Sequence, residues 1–211
     1  YNIMSQIYTI KRFDSMAFEW RLKEIELTEK YKIENYNISQ TYAQIANYYI
    51  NQKKQKEALA AVEKAIATAN SSTQQISAKL EFVNYYSKFG DFQAAEKLLK
   101  ECQAAFEQDK RLESIKKRLY NIECLYYQQT KQYPKALEAA KMQEKEERRL
   151  SESILSSSHY RAQGEIYQKM GNMNLAVKYL QMYINTDDSL KIANEQVASS
   201  EFATLLNVEK L

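Results

Sequence analysis

The sequence predicts an all-α chain of about five repeated helical hairpins followed by a C-terminal helix. Only 3 Gly and 1 Pro occur in 211 residues, so few residues can interrupt a helix. Apolar residues recur at spacings of three and four, which places them on one face of a helix. An alanine with a tyrosine nine residues before it also recurs along the chain. Regular recurrence of one pattern is typical of repeat architectures.

The alanine of this pattern, called the anchor, is predicted to lie early in the second helix of each hairpin. A weaker first copy has Met16 in the anchor position and Ile7 nine residues before it. Successive anchors then recur with a period of roughly 37–42 residues, within the range of helical repeats. The four clear anchors and the tyrosines that precede them are Ala58 with Tyr49, Ala95 with Tyr86, Ala136 with Tyr127, and Ala176 with Tyr167.

The predicted hairpins span roughly residues 1–35, 39–70, 74–108, 111–150 and 153–186. Short turns separate their two helices, and Gly90 and Gly171 suit such turns because glycine tolerates positive φ. Pro134 fits the first turn of a new helix. Gly164 lies in mid-helix, where it costs roughly 1 kcal/mol relative to alanine. We therefore expect close packing of two helices at Gly164.

Residues 187–211 are predicted to form a C-terminal capping or connecting helix. Asp187 or Asp188 can cap its start, and Leu190, Ala193 and Val197 keep helical spacing. A stack of repeats exposes an apolar end, and a terminal helix of this kind covers it.

Composition and motifs argue against several functional classes. The 30 basic and 27 acidic residues are interleaved and give a net charge of +3, so we expect no nucleic-acid partner. No apolar stretch reaches the roughly 18 residues of a membrane span, so we expect no membrane contact by this segment. The chain has one histidine, His159, and no Gly-rich phosphate loop. The sequence therefore predicts no enzyme, no metal site and no cofactor.

Two stretches carry a family resemblance: GEIYQKMGNMNLAVKYLQMYI from Gly164 and YYSKFGDFQAAEKLL from Tyr85. Their pattern of a small residue, a tyrosine and an alanine resembles the tetratricopeptide repeat, a helical hairpin with a usual period of about 34 residues. The resemblance covers about residues 1–186 and implies a right-handed α-solenoid. This chain departs from the family in its longer period and in lacking the common proline after the second helix.

The resemblance also implies that a concave groove, lined by the first helices of the hairpins, holds a peptide or a protein segment. Helical geometry offsets the groove face from the buried stripe. The residues that we expect on this face are Asn47, Asn84, Arg118, Asn121 and Arg161. In grooves of this family, asparagine amides bind a peptide backbone and basic residues bind a carboxylate. An amide supplies a donor and an acceptor, and arginine can pair bidentately.

The ending EFATLLNVEKL looks like the close of tetratricopeptide sensor regions in bacterial membrane-anchored regulators. This likeness implies a periplasmic sensing region, with a transmembrane helix after Leu211 and then a histidine kinase or DNA-binding output module. A cytoplasmic location is the alternative.

Two other functions fit the same sequence. One is a scaffold or assembly protein that forms a homodimer through its C-terminal helix. The other is a cytoplasmic peptide-pheromone receptor, a class that the long repeat period permits.

Overall fold

The computed structural model describes residues 2–10, 13–32, 37–150 and 158–189, and within these ranges all regular secondary structure is helical. The predicted all-α class is therefore confirmed. The chain divides into two compact units, Tyr1–Glu146 and Glu147–Leu211. The predicted C-terminal helix over 187–211 lies outside the described residues from 190 onward.

The first unit contains the helices of the first three predicted hairpins and most of the fourth. Helix α8 starts in this unit and crosses the division. The helices are α1 (Asn2–Ile10), α2 (Asp14–Tyr31), α3 (Ile38–Asn51), α4 (Gln55–Ala67), α5 (Ser72–Phe89), α6 (Phe92–Gln108), α7 (Lys116–Gln129) and α8 (Tyr133–Leu150), with a 3₁₀ helix at Lys110–Ile115.

Neighbouring helices of the first unit pack in pairs, α1 with α2, α3 with α4, and α5 with α6. The first helices of successive hairpins also pack side by side, α3 against α5 and α5 against α7. Helix α5 contributes to two apolar clusters: Ala78 and Tyr85 pack with α3 and α4, and Leu80 and Val83 pack with α6 and α7. Tyr86 contacts both clusters and so joins adjacent hairpins.

The same turn ends the first helix in four hairpins. The carbonyl of the repeat tyrosine accepts a hydrogen bond from the amide five residues later, a pattern that closes helix C-termini. The four bonds are Lys54 N to Tyr49 O at 2.9 Å, Asp91 N to Tyr86 O at 3.0 Å, Gln132 N to Tyr127 O at 2.8 Å, and Asn172 N to Tyr167 O at 2.9 Å. The residue before each donor has positive φ: Lys53, Gly90, Lys131 and Gly171. Two predicted glycine turns are thus confirmed, and lysine takes the same conformation in the other two.

The anchor alanines are buried, with 0% exposure at Ala58, Ala95 and Ala136 and 2% at Ala176. In the first repeat, the predicted anchor is wrong by one residue. Met16 is 43% exposed, whereas Ala17 is 0% exposed, and the Phe13 amide bonds to the Tyr8 carbonyl at 2.9 Å. Ala17 with Tyr8 therefore has the anchor geometry predicted for Met16 and Ile7, and it shows the same alanine–tyrosine spacing as the other anchors. Adjacent helical residues point about 100° apart, so a shift of one moves the side chain out of the core.

The second unit contains α9 (Ser158–Lys169) and a helix over 173–189, here called α10. A Cβ added at Gly164 would lie 2.7 Å from Cγ of Leu180, so the predicted close packing at this glycine is confirmed. The rings of Tyr167 and Tyr179 stack at 5.4 Å beside this contact. Asp187 and Asp188 lie inside α10, although the sequence predicts that a new helix begins there.

Candidate functional site

A pocket of about 120 Å³ lies beside α5 in the first unit, lined by residues of α3, of α5 and of the 3₁₀ helix and start of α7. Its lining includes Ala43 and Ala78, whose small side chains leave room between the helices. Ser39, Thr73 and Gln74 add polar groups from the N-terminal halves of α3 and α5. Ile115, at the end of the 3₁₀ helix, is the large apolar residue of the lining.

Three residues of this lining occupy the same position in successive repeats. Gln40, Ser77 and Arg118 each precede the anchor alanine of their hairpin by the same number of positions. Each of these three hairpins therefore contributes one polar side chain to the pocket from the equivalent position of its sequence. The pocket is a product of the repeat itself rather than of a single irregular loop. We refer to these residues and the rest of the lining as the first-helix groove.

Arg118 is held in the first-helix groove by a buried carboxylate. Its Nη2 donates to Oε1 of Glu81 at 2.5 Å, across the contact between α7 and α5. Glu81 is 2% exposed, and its other oxygen accepts from Nδ2 of Asn84 at 3.3 Å. The Arg118 side chain is 25% exposed, while its Nε is buried and has no hydrogen-bond partner among the described residues. A buried guanidinium N–H without a partner is costly and suits an added acceptor.

The groove could hold the backbone of an extended segment. Gln40 is exposed, and its side-chain amide offers both a donor and an acceptor to this space. Ser77 and Thr73 add hydroxyls that donate or accept. Hydrogen-bond groups of both kinds are what an unpaired peptide backbone requires.

Of the predicted site residues in the first unit, Arg118 lines the groove and the three asparagines do not. Asn84 reaches it only through Glu81, since its own side chain is 7% exposed. Asn47 is half-buried and accepts from Nδ2 of Asn51 within α3 at 2.9 Å. Asn121 is half-buried on α7 and is outside the lining of the groove.

Arg161 belongs to α9 of the second unit. Its Nε donates to Oε1 of Glu165 at 2.8 Å, and this hydrogen bond raises the pKa of Arg161. Both side chains are largely exposed, at 61% and 43%. The pair has a spacing of four on one helix face, an arrangement that contributes little to stability on an exposed surface.

Sequence reasoning missed three participants. Gln40 and Ser77 share the register of Arg118, so repeating the same offset from the anchor in each hairpin would have found them. Glu81 lies between Leu80 and Phe82 on α5, and a carboxylate in a predominantly apolar segment was a usable signal for a buried ion pair.

The two cysteines and the histidine of the described ranges are buried. Cys102 and Cys124 are both buried as free thiols, and burial raises the pKa of Cys102 to about 12, which keeps it protonated and unreactive. His159 is fully buried, and its Nδ1 lies 2.9 Å from Oε2 of Glu147 in the second unit. No group of three or more potential metal ligands occurs within the part of the chain that the structure describes. Across those same ranges, every helix is too short or too polar to cross a bilayer.

Neither a known family model nor a curated protein matches this sequence.

Proposed function

We propose that this chain is a non-enzymatic, tetratricopeptide-like module that binds a peptide or an extended protein segment in the first-helix groove. We further propose that it is the sensing or partner-binding region of a bacterial signal-transduction protein. The observation that carries the first proposal is the convergence of Gln40, Ser77 and Arg118, from equivalent positions of three repeats, on one pocket.

The chemistry of the groove supports a peptide over a compact small molecule. The pocket volume of about 120 Å³ is below the 300–1,000 Å³ of typical small-molecule sites. An extended segment needs only shallow pockets at intervals, because its backbone supplies most of the hydrogen bonds. The Arg118 side chain remains 25% exposed while it is paired with Glu81, so its guanidinium adds a cationic donor for a carbonyl or carboxylate of the segment.

The support for a signalling role is the likeness of the ending EFATLLNVEKL to sensor regions of bacterial regulators. Such a role needs a ligand-binding surface without catalysis, and the first-helix groove supplies one. Sequencing the open reading frame on both sides of these residues tests this part. An apolar span of about 20 residues soon after Leu211 supports the membrane-anchored sensor. A chain that ends near Leu211 contradicts it.

Peptide binding is tested by selecting from a random peptide library displayed on phage, with the purified chain immobilised. Enriched peptides are synthesised, and their affinities are measured by fluorescence anisotropy. We expect Ser77→Leu to weaken binding at least about tenfold, because the larger side chain fills the groove and leaves the Arg118–Glu81 pair intact.

The matched control is Gln75→Leu, a substitution two residues away at an exposed position of α5 outside the groove lining. It is expected to bind within about twofold of the parent. Equal affinity of the Ser77→Leu variant, or a library that yields no groove-dependent peptide, contradicts the proposal.

A further inference from the structure

A second groove, on α4, α5 and α6, is independent of the first-helix groove. It has a volume of about 290 Å³, and its floor consists of the side chains of Ile66, Phe82, Tyr86 and Leu98. Ile66 remains 38% exposed, although it is a large aliphatic residue. Phe82 and Tyr86 stack at 5.6 Å with an interplanar angle of 26°, which makes the aromatic part of the floor a defined platform. We refer to this surface as the outer groove.

The dimensions of the outer groove suit two turns of a helix. On α6 the lining residues run from Ala94 to Glu101 at spacings of three and four, and on α5 they run from Lys79 to Tyr86 in the same way. Seven residues at a rise of about 1.5 Å correspond to a length of about 10 Å. A partner helix presents side chains at i and i+3 or i+4 over such a distance.

The charged residues at the rim of the outer groove give it a net positive charge. Lys79 and Glu101 pair with each other at 3.5 Å across one end of the groove. Lys97 stands on α6 between the ends, is exposed, and has no carboxylate partner within the described residues. The rim thus carries one uncompensated positive charge beside an apolar floor.

We infer that the outer groove docks an acidic amphipathic helix of a partner protein. Two apolar side chains of that helix, one turn apart, cover Ile66, Leu98 and the Phe82–Tyr86 platform. A glutamate or aspartate beside them pairs with Lys97. Apolar contact supplies the affinity and the charge selects acidic over basic helices. This site needs no residue of the first-helix groove, so the two surfaces can bind different segments.

The test uses a fluorescein-labelled synthetic helix of about 14 residues, or about four turns, with Leu and Phe four positions apart and Glu on both flanks. A second peptide has Lys in place of every Glu. Because the interface is small, we expect a Kd of roughly 10–100 μM for the acidic peptide and at least about tenfold weaker binding of the basic one. Lys97→Glu should reverse this preference.

Control variants distinguish binding in the outer groove from nonspecific electrostatic binding and from binding in the first-helix groove. Lys88→Glu alters an exposed lysine of α5 that does not line the outer groove, and it should change the affinity less than about twofold. Ile66→Ser should weaken the acidic peptide at least about fivefold, and Ser77→Leu should leave it unchanged. Circular dichroism of each variant verifies that the helical fold is retained.

Three results overturn the inference. One is the absence of saturable binding of the acidic peptide, and another is an equal loss of affinity in the Lys97→Glu and Lys88→Glu variants. The third is a concentration-dependent dimer in light scattering that Ile66→Ser abolishes, because a second copy of the chain is then the occupant.

Discussion

Arg118 of α7 and Glu81 of α5 form an ion pair in which Nη2 lies 2.5 Å from Oε1, and the two partners are buried to different degrees. Glu81 is 2% exposed on its side chain, whereas Arg118 is 25% exposed and lines the first-helix groove. The pair therefore joins two neighbouring hairpins and fixes the guanidinium that the proposed peptide contacts.

The difference in burial predicts an asymmetric cost of breaking this pair. Arg118→Leu leaves the Glu81 carboxylate buried without its cationic partner, and we expect a loss of about 3 kcal/mol in the free energy of unfolding. Glu81→Leu should cost less, because Arg118 can turn toward water. The double substitution should cost less than the sum of the two. Urea denaturation of the four proteins measures the cycle, and additive losses would show that the two side chains are not coupled.

Gly164 and Leu180 provide a second prediction. Glycine to alanine in a helix interior ordinarily stabilises, but here the added Cβ lies 2.7 Å from Leu180 Cγ and 3.2 Å from Leu180 N. We expect Gly164→Ala to lower the free energy of unfolding by about 1–3 kcal/mol, the range for overpacking. Thermal unfolding followed by circular dichroism checks it. The double substitution Gly164→Ala with Leu180→Ala should cost less than the sum of the two single changes, and a stabilised Gly164→Ala variant contradicts the contact.

The turns of the second and fourth hairpins predict a stabilising substitution. Lys53 has φ of 57°, in the left-handed region, where a side chain is unfavourable and glycine is not. Because the backbone bond from Lys53 N to Ile50 O does not involve the side chain, Lys53→Gly should raise the free energy of unfolding by about 0.5–1 kcal/mol. Lys53→Ala, which retains the Cβ, is the matched control and should have no such effect. Equal stability of the two variants would argue against the left-handed turn.

Glu123 predicts a pH-dependent stability. Burial raises the pKa of its carboxyl, while a hydrogen bond of 2.7 Å from Nε2 of Gln103 to Oε1 partly opposes this. Since the pKa is higher in the folded than in the unfolded chain, protonation stabilises the fold. This contribution is complete below about pH 4.3, the ordinary glutamate pKa, and is lost as pH rises through the folded value.

Glu123→Gln should therefore be more stable than the parent at pH 7 and nearly equal to it at pH 4. Gln keeps the acceptor for Gln103 and carries no charge. Urea denaturation at both pH values measures the difference. Glu107→Gln, at an exposed position of α6, is the control. A pH-independent gain in the Glu123→Gln variant would exclude the buried charge as its cause.

The placement of the candidate site could be predicted only in part. Arg118 is identified from the sequence because its distance from the anchor Ala136 places it on the predicted groove face. Asn84 is predicted on the same face, yet it is 7% exposed and donates to Glu81. Helical spacing predicts which face of a helix a side chain lies on. Whether that side chain is buried depends on which neighbouring helix packs against that face.

The helical class, the hairpin turns and the anchors from Ala58 onward could be predicted from the sequence, because they depend on local hydrogen bonds and on apolar spacing along one helix. The repeat tyrosines and anchor alanines flank the same turn in each of those hairpins. The prediction of Met16 as the first anchor was wrong by one residue and about 100° of rotation, although the spacing from Tyr8 to Ala17 already matched the other anchors. Only the tertiary structure decided that Glu81 meets Arg118 on another helix, because the pairing of charges on different helices is set by how those helices pack.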